Sequence, residues 1–170
     1  MLLVVLDSDA FNVLAWDGGE ERLASVLAAV EQGRVRFVVN RHTRDEVART
    51  SGQIGEAIRL VPTVDEPAGF TVGVSPVGGP DVIVSTEEAA AYDAVLTTGL
   101  THFRDAQALS VAARLGVPLV TVDHRLTNRA KDHGHPVMNP NDLLAVLGIP
   151  CGRARTETPL PLTARPAAAC

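Results

Sequence analysis

The stretch FRDAQALSVAARLGVPLVTVDHRL, residues 103–126, decides the fold. Apolar residues recur at helical spacing over Phe103–Leu115, which predicts a buried amphipathic helix. A short apolar run rich in β-branched residues, Val117–Val122, follows directly and predicts a buried strand. The strand ends at an acid, Asp123. A helix that leads straight into a buried strand is typical of α/β proteins.

Two further apolar runs, Leu2–Leu6 and Val35–Val39, and a weaker one, His135–Met138, predict the other strands. Continuous apolar runs without alternation indicate a parallel sheet that is covered on both faces. Helices are predicted between and after the strands, at Glu20–Gln32, Arg44–Leu60, Thr86–Leu96 and Pro140–Leu147. We therefore expect a three-layer α/β/α fold with a central, mostly parallel sheet of four or five strands.

The chain of 170 residues, 46% of them hydrophobic, is long enough for one domain with its own core. We expect this domain to span residues 1–148, with an inserted hairpin near residues 65–84, where the helical pattern fails around glycines and prolines. Residues 149–170 lack periodicity and predict a flexible tail. Both cysteines lie in that tail, which favours a reducing cytoplasm, and we expect no membrane association.

Four acids are expected to meet at one edge of the sheet. Asp7 and Asp123 each follow a strand at its carboxyl end, where open α/β sheets bind ligands. Glu46 lies in the first turns of the helix after the second strand, and Asp105 lies in the first turn of the helix before the third. An aspartate in a first turn is also favoured by the helix dipole without any function.

Carboxylates gathered in a small site repel one another unless cations lie between them. Ligation by oxygen alone suits Mg²⁺ or Mn²⁺ better than Zn²⁺, and such ions can promote cleavage of phosphodiester bonds. Asp7, Glu46, Asp105 and Asp123 are therefore the predicted metal ligands and catalytic residues. Asp9 is expected to cap the following segment or to support the site from behind.

The segments VVLDSDAF, RHTRDEVAR and FRDAQALSVAARLGVPLVTVDHRL resemble the PIN-domain ribonucleases, which include toxins of bacterial type II toxin-antitoxin pairs. The resemblance covers about residues 2 to 145. It implies cleavage of single-stranded RNA, the four acids named above as metal ligands, and hydroxyl support from Ser8 and Thr121. It also implies a homodimer and a cognate antitoxin as partners. The long segment from about Asp65 to Pro80 and the tail after Pro150 depart from compact toxins.

A formal charge of −5 argues against a uniformly basic surface for nucleic acid, although bound cations would reverse the sign of the site locally. Arg41, Arg44, Arg125 and Arg129 flank the expected acids and are candidates for steering the substrate, or else ordinary solvated charges. The histidines fit no common zinc spacing, and we interpret them as loop residues.

Two other functions stay open. The chain could be a PIN-like module that has lost turnover and binds RNA or a protein partner. The pair Asp7 and Asp9 after an apolar strand also resembles the haloacid dehalogenase phosphatases, in which the first aspartate is a nucleophile and the second a general acid. Phe11 and the single lysine, Lys131, fill the other roles of that family poorly.

Overall fold

The computed structural model describes residues 1–67 and 103–151. The strands are β1 (Leu2–Leu6), β2 (Val35–Val39), β3 (Thr63–Asp65), β4 (Leu119–Val120) and β5 (Val137–Met138). The helices are α1 (Gly19–Glu31), α2 (Arg41–Arg49), α3 (Gly52–Arg59), α4 (Phe103–Leu115), α5 (His124–Asp132) and α6 (Pro140–Val146). A short π-helical segment, Asn12–Trp16, precedes α1.

The five strands form one sheet in the order β3-β2-β1-β4-β5, and every neighbouring pair is parallel. The strand that opens the chain is thus the central one, with β2 on one side and β4 on the other. This arrangement confirms the predicted α/β class and the parallel sheet of four or five strands.

Each face of the sheet has its own core, which gives the three layers. Val4 and Leu6 of β1 face the first core, to which the π-helical segment, α1 and α6 contribute apolar side chains. Val5 faces the second core, which is formed with α4 and α5. Because side chains alternate along a strand, a strand covered on both faces must be apolar throughout.

The helix predicted over Arg44–Leu60 is wrong as one element, because α2 and α3 are separate. Thr50 and Ser51 adopt extended backbone, and Gly52 enters α3 with a φ of +70°. The side chain of Arg59 then donates to the carbonyl oxygens of Ala48 and Thr50 at 3.4 and 2.7 Å, which satisfies the open end of α2. The apolar spacing runs on across this break, so periodicity alone did not detect it.

The other differences concern lengths and one unpredicted helix. β4 and β5 are shorter than the predicted runs Val117–Val122 and His135–Met138, and α5 was not predicted. The helix expected over Thr86–Leu96, most of the expected hairpin and the tail beyond residue 151 lie outside the described residues. Within the described ranges, no helix is long and apolar enough to cross a membrane.

Gly55 allows α3 to pass close to the end of α2. A Cβ at this position would lie far inside contact distance of the Thr50 carbonyl oxygen, which is backbone and cannot turn aside. We expect Gly55→Ala to lower the free energy of unfolding by about 1–3 kcal/mol despite the better helix propensity of alanine. Urea unfolding would measure this loss. The exposed Gln53→Ala in the same helix is the control, and a Gly55→Ala protein as stable as that control would contradict the packing described.

Candidate metal centre

Three polar side chains lie side by side where the three central strands end. The parallel registers pair Val5 with Val38 and with Leu119, and all three of these residues face the second core. Two residues further along, the same alternation brings Asn40, Asp7 and Thr121 onto that same face. We call these three residues the edge row. Helix α4 packs against this face, so the edge row lies beneath its first turn.

Asp7 is the centre of the edge row and is held by both neighbouring segments. Its backbone amide donates to the Val120 carbonyl oxygen at 3.0 Å, which continues the pairing of β1 with β4. Its Oδ2 accepts from the Thr121 hydroxyl at 2.8 Å, and its Oδ1 accepts from the Ser8 amide at 2.8 Å. Both carboxylate oxygens are thereby fixed in direction, while each keeps a second lone pair for another partner.

Burial raises the pKa of Asp7 from its ordinary value of 3.8 to about 6. The hydrogen bond from Thr121 works against this rise, whereas repulsion from Asp105 adds to it. Smaller effects come from the Ser8 amide, which lowers the pKa, and from Asp9, which raises it. The negative charges of Asp7 and Asp105 therefore repel each other at this edge of the sheet.

Asp105 lies in the first turn of α4, as predicted, and is partly buried. The residues that follow it, from Ala106 to Ala112, are all buried, which fixes this helix over the sheet. Because the helix is packed so deeply, the fold fixes the backbone position of Asp105 over the edge of the sheet. The repulsion between the two acids is thus imposed by the fold.

Glu46 lies on α2 and forms an ion pair with Arg104. Its Oε1 accepts from Nη1 of Arg104 at 2.7 Å, and the two side chains are 42% and 47% exposed. Arg104 directly precedes Asp105 in the chain, so the ion pair joins the α2 side of the edge to the head of α4. Glu46 is therefore linked to the head of α4 through Arg104, which is its counter-ion.

Asp123 stabilises the start of α5. It is the N-cap of α5, and its Oδ1 accepts from the backbone amides of Arg125 at 2.6 Å and Leu126 at 3.4 Å. Its own amide donates to the Thr121 hydroxyl oxygen at 3.0 Å. Thr121 thus links Asp123 to Asp7, and Oδ2 of Asp123 has no part in the capping bonds.

The structure does not bring all four predicted ligands together at bonding distance. Within residues 1–67 and 103–151, no three or more His, Cys, Asp or Glu side chains are grouped closely enough to hold a metal ion. The pair Asp7 and Asp105 nevertheless fits a divalent cation. Mg²⁺ keeps several waters and binds through one or two carboxylates. A cation would stabilise the ionised Asp7 carboxylate, whose pKa is raised mainly by burial and further by repulsion from Asp105.

The residues predicted to support this site lie around it. Ser8 contacts Asp7 through its backbone amide, and Thr121 does so through its hydroxyl. Asp9 is exposed and acts on Asp7 through its charge.

The predicted steering arginines lie at different places. Arg41 begins α2 and lies 3.2 Å from the ring nitrogen of His42. Arg44 forms an ion pair with Asp65. Arg125 is exposed in the first turn of α5, whereas Arg129 lies in its last turn.

Sequence reasoning missed Asn40 and Arg104. Asn40 is fully buried, and its Oδ1 caps α2 by accepting from the Thr43 amide at 2.9 Å. Its Nδ2 has no acceptor in the part of the chain that the structure describes. Asn40 could have been found from its position, because it directly follows the second apolar run as Asp7 directly follows the first. The pairing of Arg104 with Glu46 gives no such signal, because the residues are far apart in the chain.

Comparison with known proteins gives little beyond the fold. No family model matches the chain, and no curated protein matches it. Among solved structures, the chain is similar to a PilT N-terminus domain protein from the hyperthermophilic archaeon Sulfolobus solfataricus P2. The likeness has 16% sequence identity and a TM-score of 0.48, and it covers 86% of this chain and 93% of that one. At this level the likeness carries no argument about function.

The raised pKa of Asp7 predicts that the free energy of unfolding decreases as the pH rises. The Asp7 carboxyl releases its proton near pH 3.8 in the unfolded chain and near pH 6 in the folded protein. The stability that the protonated carboxyl contributes is therefore complete below pH 3.8 and is lost as the pH rises through about 6. The ionised carboxyl then costs the folded state about 3 kcal/mol. In EDTA, Asp7→Asn should be more stable than the wild type at pH 7.5, and the difference should vanish near pH 4.

Urea unfolding at a series of pH values checks this expectation. Asp9→Asn serves as the control, because it removes the same charge from an exposed neighbour. A constant difference between Asp7→Asn and the wild type from pH 4 to 7.5 would show that Asp7 ionises normally.

Proposed function

We propose that this protein is a metal-dependent endoribonuclease of the PIN kind, which cleaves single-stranded RNA with Mg²⁺ or Mn²⁺. The observation that carries the proposal is the partly buried carboxyl of Asp7, which Thr121 holds at the carboxyl edge of the central strand and which Asp105 repels. A folded protein that keeps two repelling acids in such a place accepts a loss of stability, which is typical of functional sites. The resemblance of the acid-bearing segments to PIN domains supports the same assignment.

Asp7 and Asp105 would hold the cation, and Glu46 and Asp123 would complete or tune the site from its borders. When bound, a divalent cation there supplies Lewis-acid polarisation of a phosphoryl oxygen and makes water a stronger nucleophile at neutral pH. Thr121 and the Ser8 amide fix the orientation of the Asp7 carboxylate, so that its free lone pairs keep one direction. By capping α5, Asp123 fixes the segment that carries Thr121.

A second candidate is a PIN-like module without turnover that binds RNA or a protein partner. Two observations favour it: Glu46 is paired with Arg104, and one oxygen of Asp123 is used in capping α5. Such a module would keep the fold and the edge row and would bind RNA without cutting it.

The finer assignments belong to the same proposal. We propose a cytoplasmic protein whose partners are RNA and, by resemblance, a second copy of the chain and a cognate antitoxin. The toxin role rests on the resemblance alone.

Cleavage of labelled single-stranded RNA tests the proposal. We expect the wild type to cut with Mg²⁺ or Mn²⁺ and to stop in EDTA, and we expect Asp7→Asn and Asp105→Asn to lose about a hundredfold or more in rate. Asp9→Asn, which removes an exposed acid beside the same site, should lose less than about threefold. A larger loss in Asp9→Asn than in Asp105→Asn would indicate a phosphatase-like aspartate pair. RNA binding without cleavage at any metal concentration would favour the silent module.

A further inference from the structure

Helix α5 begins at the edge of the sheet that carries Asp7 and leads away from it. The helix starts directly after Asp123, past the carboxyl end of β4, and Leu126 and Ala130 pack it onto the second core. Because β5 is parallel to β4, the chain must return along α5 toward the opposite edge of the sheet. The outer side of α5 therefore starts beside the proposed metal centre and extends away from it.

The outer side of α5 carries positive charge and hydrogen-bond donors. Positions i, i+4 and i+7 lie on one face of a helix, and here they rise by about 10 Å in total. The residues at these positions are exposed, and so is the arginine beside the first of them. We call these four residues the α5 ridge: His124, Arg125, Asn128 and Lys131.

The charges of the α5 ridge are not explained by contacts within the fold. Arg44 and Arg114 pair with acids, whereas Arg125 and Lys131 have no ion pair with any part of the chain that the structure describes. Arg125 also lies in the first turn of α5, where the helix dipole disfavours a cation. An anion can therefore bind Arg125 without displacing an acid, and it would relieve an unfavourable placement.

The layer on the other face of the sheet has the opposite charge. Helix α1 packs on the first core, and it and the residues before it, from 17 to 31, carry the acids Asp17, Glu20, Glu21 and Glu31. The one cation in this stretch of sequence, Arg22, is buried. A polyanion is therefore repelled over α1 and attracted over α5. The formal charge of −5 is a sum over the whole chain and hides this difference.

We propose that the α5 ridge binds the backbone of single-stranded RNA, so that the strand leaves the metal centre over α5 and not over α1. Arg125 binds the phosphate nearest the edge, and Lys131 binds a phosphate further along the strand. His124 and Asn128 donate hydrogen bonds to phosphate or ribose oxygens between them. The inference rests on the proposed function, because it assumes that RNA reaches this edge of the sheet.

Binding of a fluorescently labelled oligouridylate, measured by anisotropy in EDTA, tests the α5 ridge. Arg125→Gln and Lys131→Gln should each weaken binding about fivefold, since one charge-assisted contact is lost. Each should also make the slope of log affinity against log salt shallower by about 0.7, as expected for one phosphate contact fewer. The two side chains are separate, so the double variant should lose about 25-fold.

Arg36→Gln is the matched control. Arg36 is exposed and has no ion pair within the described ranges, but it lies on β2 about 13 Å from the edge row, four residues before Asn40. This variant removes the same charge at the far end of the sheet. It should change RNA affinity by less than about twofold, because salt screens a charge at that distance.

The double variant Glu20→Gln with Glu21→Gln tests the path of the strand. Both glutamates are exposed in the first turn of α1, so their neutralisation would tighten binding if RNA passed over this helix. We expect a change of less than about twofold. Tightening by fivefold or more, comparable to the loss expected for the ridge variants, would show that the strand passes over α1 and would overturn the inference.

Urea unfolding distinguishes a binding role of the ridge from a structural one. Arg125→Gln should be at least as stable as the wild type, because it removes a cation from the first turn of a helix. A weaker RNA affinity that comes with a lower urea midpoint would show that Arg125 supports the fold, and the inference would be wrong.

The outcomes separate the inference from the proposed function. If the wild type binds and cuts RNA but Arg125→Gln and Lys131→Gln bind RNA like Arg36→Gln, the inference is wrong and the nuclease assignment stands. If the wild type neither binds nor cuts RNA, both fail together.

Discussion

The hydrogen bond from Thr121 to Asp7 is the contact on which the site depends. It joins residues more than a hundred positions apart in the chain, at the ends of the central strand and its neighbour β4. Through the same hydroxyl oxygen, Thr121 also receives the amide of Asp123, which caps the next helix. One threonine therefore sets the direction of the central carboxylate and the start of α5.

The position of Asp7 lowers the stability of the folded protein. The two cores need β1 to be buried on both faces, and Asp7, which directly follows this strand, is partly buried as well. Placing an aspartate there, beside Asp105, raises its pKa to about 6 and costs the folded protein free energy at neutral pH. The cost is understandable if a cation occupies the site in the working protein, because binding to the folded state alone restores the stability.

Much of the fold could be predicted from the sequence because the parallel sheet is buried on both faces. Leu2–Leu6 and Val35–Val39 are continuous apolar runs, and they became strands with those same bounds. The break between α2 and α3 could not be predicted in this way. It depends on the backbone of Thr50, Ser51 and Gly52 and on a distant cap from Arg59, none of which changes the apolar spacing.

The site was predictable to the extent that it follows strand ends. Asp7 could be placed at the edge because it terminates an apolar run, and Asp105 because it heads a buried helix. The partners of Glu46 and Asp123 could not, since an ion pair with Arg104 and the capping of α5 are tertiary and local contacts that the spacing of acids does not encode. Sequence alone therefore described four equivalent acids. The structure distinguishes Asp7 and Asp105, which repel each other, from Glu46, which pairs with Arg104, and Asp123, which caps α5.

Paramagnetic broadening by Mn²⁺ in a nuclear magnetic resonance spectrum tests most directly whether a cation binds at Asp7 and Asp105. The metal-free protein would be titrated with small amounts of Mn²⁺, and the loss of backbone amide signals would be mapped onto the chain. The account predicts that the amides of Ser8, Thr121 and Ala106 broaden first, and that this selectivity disappears in Asp7→Asn. Broadening centred elsewhere, for example around His133 and His135, or uniform broadening without a centre, would contradict it.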